Sequence, residues 1–159
     1  MANTIQQTNL SVVITEQIEV NGVEYGNTIS KTFAGNGKVD QRVMAISNAA
    51  LTSIFEYQAA LPDTAGTGVK SEFTYFRITN TDDSLAVTIQ LYLTSSKTGY
   101  IDLPAGCSFV LMSNDVDFLC SGDSFTLADL EKVQAKVTSE ESAEAYIEYV
   151  AVFQGGVTP

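Results

Sequence analysis

The chain has 159 residues, sets 19 Asp plus Glu against 8 Lys plus Arg for a net charge of −11, and contains neither His nor Trp. That length fits one domain with a full core, and an apolar share of 45% is that of a globular chain rather than a disordered one. Without histidine no Ser-His-Asp triad, Cys-His pair or His-containing zinc site can be built, and Lys38 with Arg42 is the nearest approach to a basic cluster, so a nucleic-acid partner is not expected.

Residues 1–9 are polar and read as an N-terminal arm. They contain no basic region leading into an apolar stretch, and no apolar run approaches the roughly 20 residues of a membrane helix. The expectation is a chain kept in the cytoplasm where it is made, with no membrane partner. From Leu10 the pattern alternates: Leu10, Val12, Ile14, Ile18 and Val20 share one parity, and Val23, Tyr25, Ile29 and Phe33 repeat it after Asn21-Gly22. Asn-Gly adopts the two positive φ angles of a type I′ turn, which sets Val20 opposite Val23, Ile18 opposite Tyr25 and Ile14 opposite Ile29, all apolar on one side.

Ala34-Gly-Asn-Gly37 is expected to break this hairpin, with shorter strands over Gln41–Ser47 and Leu51–Tyr57 and a loop over Leu61–Gly68. Phe73 to Thr79 alternates, Asn80-Thr-Asp-Asp-Ser84 turns, and Leu85, Val87, Ile89, Leu91 and Leu93 line one face at the centre of the core. Lys97-Thr-Gly99 turns again, Tyr100 to Leu103 pairs briefly, and Pro104-Ala-Gly106 leads into Cys107–Met112. Ser113 to Ser124 reads as a long polar loop, and Thr126 to Asp129 has capping-box spacing for one helical turn with Leu127 and Leu130. Val133, Ala135 and Val137 resume strand alternation, and Ala145, Ile147, Tyr149, Ala151 and Phe153 form a last strand before a loose tail over 155–159. The reading is all-β, an antiparallel two-sheet β-sandwich of jelly-roll type with about nine strands, with a closed barrel as the alternative, occupying residues 10–154 as one domain.

Several residue groups have side chains that could carry chemistry. Asn114, Asp115, Asp117 and Asp123 could offer oxygen ligands to Ca²⁺, but the EF-hand spacing is not met and an acidic surface loop accounts for them. Asn80, Asp82 and Asp83 are accounted for by turn chemistry. Nineteen acids could supply a glycosidase pair somewhere, without pointing to one. Tyr25, Tyr57, Tyr75, Tyr92, Tyr100, Tyr146 and Tyr149 could form a sugar-stacking platform, but half-buried sheet tyrosine is the commoner role and Trp is missing. Cys107 and Cys120 read as buried or half-buried free thiols rather than a bridge. No catalytic, cofactor-binding or metal-binding residue is assigned, no cofactor is expected, and the chain is not expected to be an enzyme.

Phe76-Arg-Ile-Thr-Asn-Thr-Asp-Asp-Ser with its following strand, then Ile101-Asp-Leu-Pro-Ala-Gly-Cys-Ser-Phe-Val-Leu, resembles small β-sandwich virion proteins of tailed bacteriophages. Val133-Gln-Ala-Lys-Val, the acidic turn and Ala145-Tyr-Ile-Glu-Tyr-Val-Ala are similar to the last hairpin of those proteins, so the resemblance covers about residues 70–153. It implies a capsid decoration or cement protein, a homotrimer that docks on the major capsid protein at the outside of the head and assembles in the host cytoplasm. A tail or fibre component or a glycan-binding module of the same fold is the alternative. Contacts are expected at the arm, Met1–Asn9, and at an edge strand.

Overall fold

The computed structural model describes residues 8–58, 67–69, 72–93, 97–111, 117–120, 123–126, 130–138 and 143–154. Fourteen strands follow in order: β1 Thr8–Thr15, β2 Ile18–Val20, β3 Val23–Tyr25, β4 Thr28–Ser47, β5 Thr52–Gln58, β6 Thr67–Val69, β7 Phe73–Asn80, β8 Val87–Leu93, β9 Thr98–Leu103, β10 Ser108–Leu111, β11 Asp117–Cys120, β12 Asp123–Thr126, β13 Leu130–Val137 and β14 Glu144–Gln154. One five-stranded sheet has the order β1-β4-β14-β7-β10, the other β6-β5-β13-β8-β9, and two-stranded ribbons β2-β3 and β11-β12 stand beside them.

The pairing has a simple logic. β4 pairs with β14, β5 with β13, β7 with β10 and β8 with β9, all antiparallel. These are four nested pairs, outermost to innermost, as in one long hairpin; rolling that hairpin closes it into the two sheets of a jelly roll. The core forms where the inner faces meet. Val87, Ile89, Leu91 and Leu93 are buried as their alternation predicted, while Leu85 is half-buried and packs against them. Ala145, Ile147, Tyr149, Ala151 and Phe153 cover the opposite side. Phe55 of one sheet stacks on Phe153 of the other at 5.4 Å between ring centroids and meets Phe76 at 6.3 Å, so aromatic rings bridge the two layers, while Phe76 stacks on Tyr149 within its own sheet at 6.0 Å.

The predicted β class and two-sheet architecture are those of the structure, but several boundaries differ. The described residues form fourteen strands rather than nine, because three are three-residue pieces and the region after Ser113 is not all loop. Asp117–Cys120 and Asp123–Thr126 pair as β11 and β12. Thr126 ends a strand and Leu130 begins one, so the capping-box spacing there does not open a helix; 127–129 lie outside the described residues. Thr67 and Gly68, placed in a loop, belong to β6, which pairs in parallel with β5. Ala34–Gly37 does not end the hairpin. β4 runs through it for 20 residues, because Gly35 takes φ +76° and absorbs an extra residue as a bulge opposite the Thr8–Leu10 segment. The buried Asn36 side chain ties the bulge by donating to the Phe33 carbonyl at 2.7 Å and the Thr8 carbonyl at 3.3 Å. A bulge also explains β5: Val133 faces Phe55 but Gln134 faces Ser53, leaving Ile54 as the extra residue, and both Ile54 and Phe55 are buried.

Candidate interaction surface

The residue groups first considered for chemistry are dispersed. Asp117 and Asp123 occupy opposite ends of the β11-β12 ribbon, since Asp117 pairs with Thr126 while Asp123 pairs with Cys120; Asn114 and Asp115 lie outside the described residues. Among the described residues no three His, Cys, Asp or Glu side chains gather as metal ligands. Asn80, Asp82 and Asp83 serve the β7–β8 connection. Asp82 Oδ1 accepts the backbone N–H groups of Leu85 at 2.8 Å and Ser84 at 2.9 Å, which hold its carboxyl below the usual carboxylate range. Asn80 is more than a turn residue. Fully buried, it donates to the carbonyls of Leu85 at 2.7 Å and Leu103 at 3.0 Å, and its Oδ1 accepts from the Asp82 backbone N–H.

Lys38 and Arg42 form no basic patch. Arg42 is bidentate to the Asp40 carboxylate at 3.1 and 3.3 Å, and Lys38 lies over the Phe153 ring. The Tyr149 hydroxyl donates to the same Asp40 carboxylate at 3.0 Å; burial, and then the Asp40 charge, push its ionisation far above the ordinary tyrosine value. Tyr75 and Tyr149 are buried, whereas the exposed Tyr25, Tyr100 and Tyr146 sit on β3, β9 and β14 in three different sheets, so no common platform forms. Cys107 is an exposed free thiol, a correction to its expected burial: it stands in the turn closed by its own N–H to the Pro104 carbonyl, just before β10 begins. Of the arm, Thr8 and Asn9 belong to β1, and residues 1–7 lie outside the described ones.

The surface that stands out is the first ribbon. Leu10 faces Phe33, Val12 faces Lys31, Ile14 faces Ile29, Ile18 faces Tyr25 and Val20 faces Val23, with no residue inserted anywhere between. Asn21 and Gly22 take φ +53° and +77°, the I′ turn expected of Asn-Gly. Between its two halves the Glu16 N–H donates to the Asn27 carbonyl at 2.8 Å, and Gly26 passes so close that a Cβ there would sit 2.4 Å from the Glu16 carbonyl oxygen. One face is therefore mainly apolar, interrupted by Lys31 opposite Val12 and by Glu16 level with Asn27, and most of it lies outside the core. Ile14, Ile18, Val20, Val23, Tyr25 and Ile29 are all exposed, from 42% to 57%. The sequence identified the ribbon and its register; its place outside the core could not be read from alternation, which is the same for a covered and an uncovered face.

A second exposed strip lies on the outward face of β4, with Val43 at 68% and Val39 at 60%, beside Tyr146 of β14. Between Gln41 and Ser47, β4 pairs with β14 alone among the described strands, making it an edge. Next to the strip Glu148 accepts from Gln41 at 2.7 Å and from Arg77 at 3.1 Å, and these bonds hold its carboxyl low.

Comparison with protein-family models and with curated proteins gave no match. A solved structure of Bacillus endospore appendages, described as a novel family of disulfide-linked pili, is similar at a TM-score of 0.35 and 12% identity, over 73% of this chain and 88% of that chain. A similarity of that size carries no argument about what the chain does.

Proposed function

We propose that this chain is a non-enzymatic structural protein of a tailed-bacteriophage virion, a decoration or cement protein that docks on the outer face of the capsid, against the major capsid protein, and stabilises the head. The observation that carries the proposal is the exposed apolar ribbon: a chain whose core is already closed holds a long hydrophobic face outside it, the mark of a surface kept for contact rather than for folding. The edge of β4 between Gln41 and Ser47 offers backbone groups for the same purpose. The resemblance of residues 70–153 supplies the virion class, and the net charge of −11 suits the outside of a shell packed with DNA. The mechanism is adhesive. Binding to the assembled shell and not to its separated subunits stabilises the shell by mass action, and repeated contacts multiply the effect.

The test is cosedimentation with heads lacking the protein. Saturation at a fixed copy number and a raised disruption temperature of the decorated heads are expected. Heads that neither bind the protein nor gain heat resistance would remove the cement role.

A further inference from the structure

We propose that the apolar face of the first ribbon is covered by the same face of a second copy of this chain, the two ribbons lying antiparallel about a two-fold axis at the Ile14–Ile29 pair. The order of residues along the face carries the argument. From base to tip the cross-strand pairs are Leu10 with Phe33, Val12 with Lys31, Ile14 with Ile29, Glu16 level with Asn27, Ile18 with Tyr25, and Val20 with Val23. The Lys31 ammonium lies over the Phe33 ring, 5.7 Å from its centroid, which fixes it to this face; Glu16, like Lys31, is exposed.

This order is self-complementary. Reversed about Ile14 and Ile29, Leu10 and Phe33 come to lie on the partner's Ile18 and Tyr25, and Ile14 and Ile29 on their own counterparts. Val12 and Lys31 then lie on the partner's Glu16 and Asn27. Three apolar pairs meet apolar pairs, Val20 and Val23 reach the partner's Thr8 end, and the one cation on the face falls diagonally beside the partner's one anion, twice by symmetry. Sheets stacked face to face stand about 10 Å apart, a gap that a Glu and a Lys side chain close together. Any shift of the register along the strands separates Lys31 from the partner's Glu16.

The same charges argue against the other occupant an amphipathic hairpin suggests, a lipid bilayer. Strands of about eleven residues would be long enough to span one. Glu16, however, would then sit near the middle of the lipid-facing side, where a carboxylate is costly and unpaired. The area sets the strength. A two-stranded ribbon about 37 Å long and 10 Å wide offers on the order of 400 Å², about half of the roughly 800 Å² that each partner contributes to a standard interface, so the dimer is a weak one with Kd in the micromolar range. The inference does not rest on the virion reading; a paired ribbon leaves the β4 edge between Gln41 and Ser47 for the shell, and a two-fold contact is distinct from the three-fold contact of a trimer.

The experiment is sedimentation equilibrium of the full chain from about 1 to 300 µM, with Glu16→Lys, Lys31→Glu and the double variant. A reversible monomer–dimer equilibrium is expected, weakened on the order of tenfold by either single charge reversal and restored by the two together. Circular dichroism checks that each variant keeps its strand content, and rescue by the double variant excludes a folding defect. A chain that stays monomeric across the range, an oligomer that the single reversals leave unchanged, or release of dye from phosphatidylcholine vesicles by the wild-type chain would each overturn the proposal. Head binding is read separately: a dimer that ignores heads sinks only the cement role, and a head-binding monomer sinks only the ribbon pairing.

Discussion

Asn80 and Asp82 show how much of this fold hangs on single polar side chains. Asn80 joins three segments at once, since its own carbonyl also accepts the Gly106 N–H at 3.0 Å and its backbone N–H donates to the Cys107 carbonyl at 2.9 Å. Truncation to Ala leaves the buried Leu103 carbonyl and the part-buried Leu85 carbonyl without their donor, and is expected to cost about 3 kcal/mol, seen as a lower urea midpoint at unchanged slope. Asp82 tests the electrostatics. Its folded-state pKa lies below the unfolded value because the Leu85 and Ser84 N–H groups favour the carboxylate. Its contribution is therefore complete above the unfolded pKa and is lost as pH falls through the folded one. Asp82→Asn keeps an acceptor oxygen but not the charge, so the acid limb of the stability curve should be shallower in the variant; equal limbs in a urea titration against pH would refute the assignment. Both residues were legible as turn formers in Asn80-Thr-Asp-Asp-Ser84, but the burial of Asn80 was not, because it depends on Leu103, 23 residues away.

At the scale of elements, the ribbon and β4 teach opposite lessons. The ribbon register was readable residue for residue because an Asn-Gly turn and period-2 alternation constrain it from both ends. β4 was not, because Ala34-Gly-Asn-Gly37 has the composition of a break, and only its pairing with β1 and β14 carries the strand through as a bulge. Gly26 is the ribbon's tightest point. In Gly26→Ala the new methyl must push the Glu16 carbonyl away, and the adjoining Glu16–Asn27 hydrogen bond goes with it. The expected result is loss of amide-exchange protection over Ile18–Tyr25 with the global urea midpoint moved by less than about 0.5 kcal/mol, since the ribbon lies outside the cooperative core. A large shift of that midpoint would mean that the ribbon folds as part of the sandwich.

For the whole molecule, the four nested pairs mean that the contact joining the longest stretch of chain, β4 with β14, closes around all the others. Such non-local pairing meets its loop-closure entropy before the contacts that repay it, so refolding is expected on the millisecond-to-second scale. Stopped-flow chevrons read this directly, and a microsecond phase accounting for the full amplitude would contradict it.

What the amino-acid order determined alone was local: the first hairpin, the alternating core strands β8 and β14, the turn between β7 and β8, and with them the β class. These follow from side-chain period and turn stereochemistry, which act over a few neighbours. Only the tertiary structure decided which apolar faces are covered. Val87–Leu93 and Leu10–Phe33 alternate alike, yet the first set is buried in one core with residues of the opposite sheet while most of the second faces water, because burial is a property of what lies across a 10 Å gap and not of the strand that presents the face.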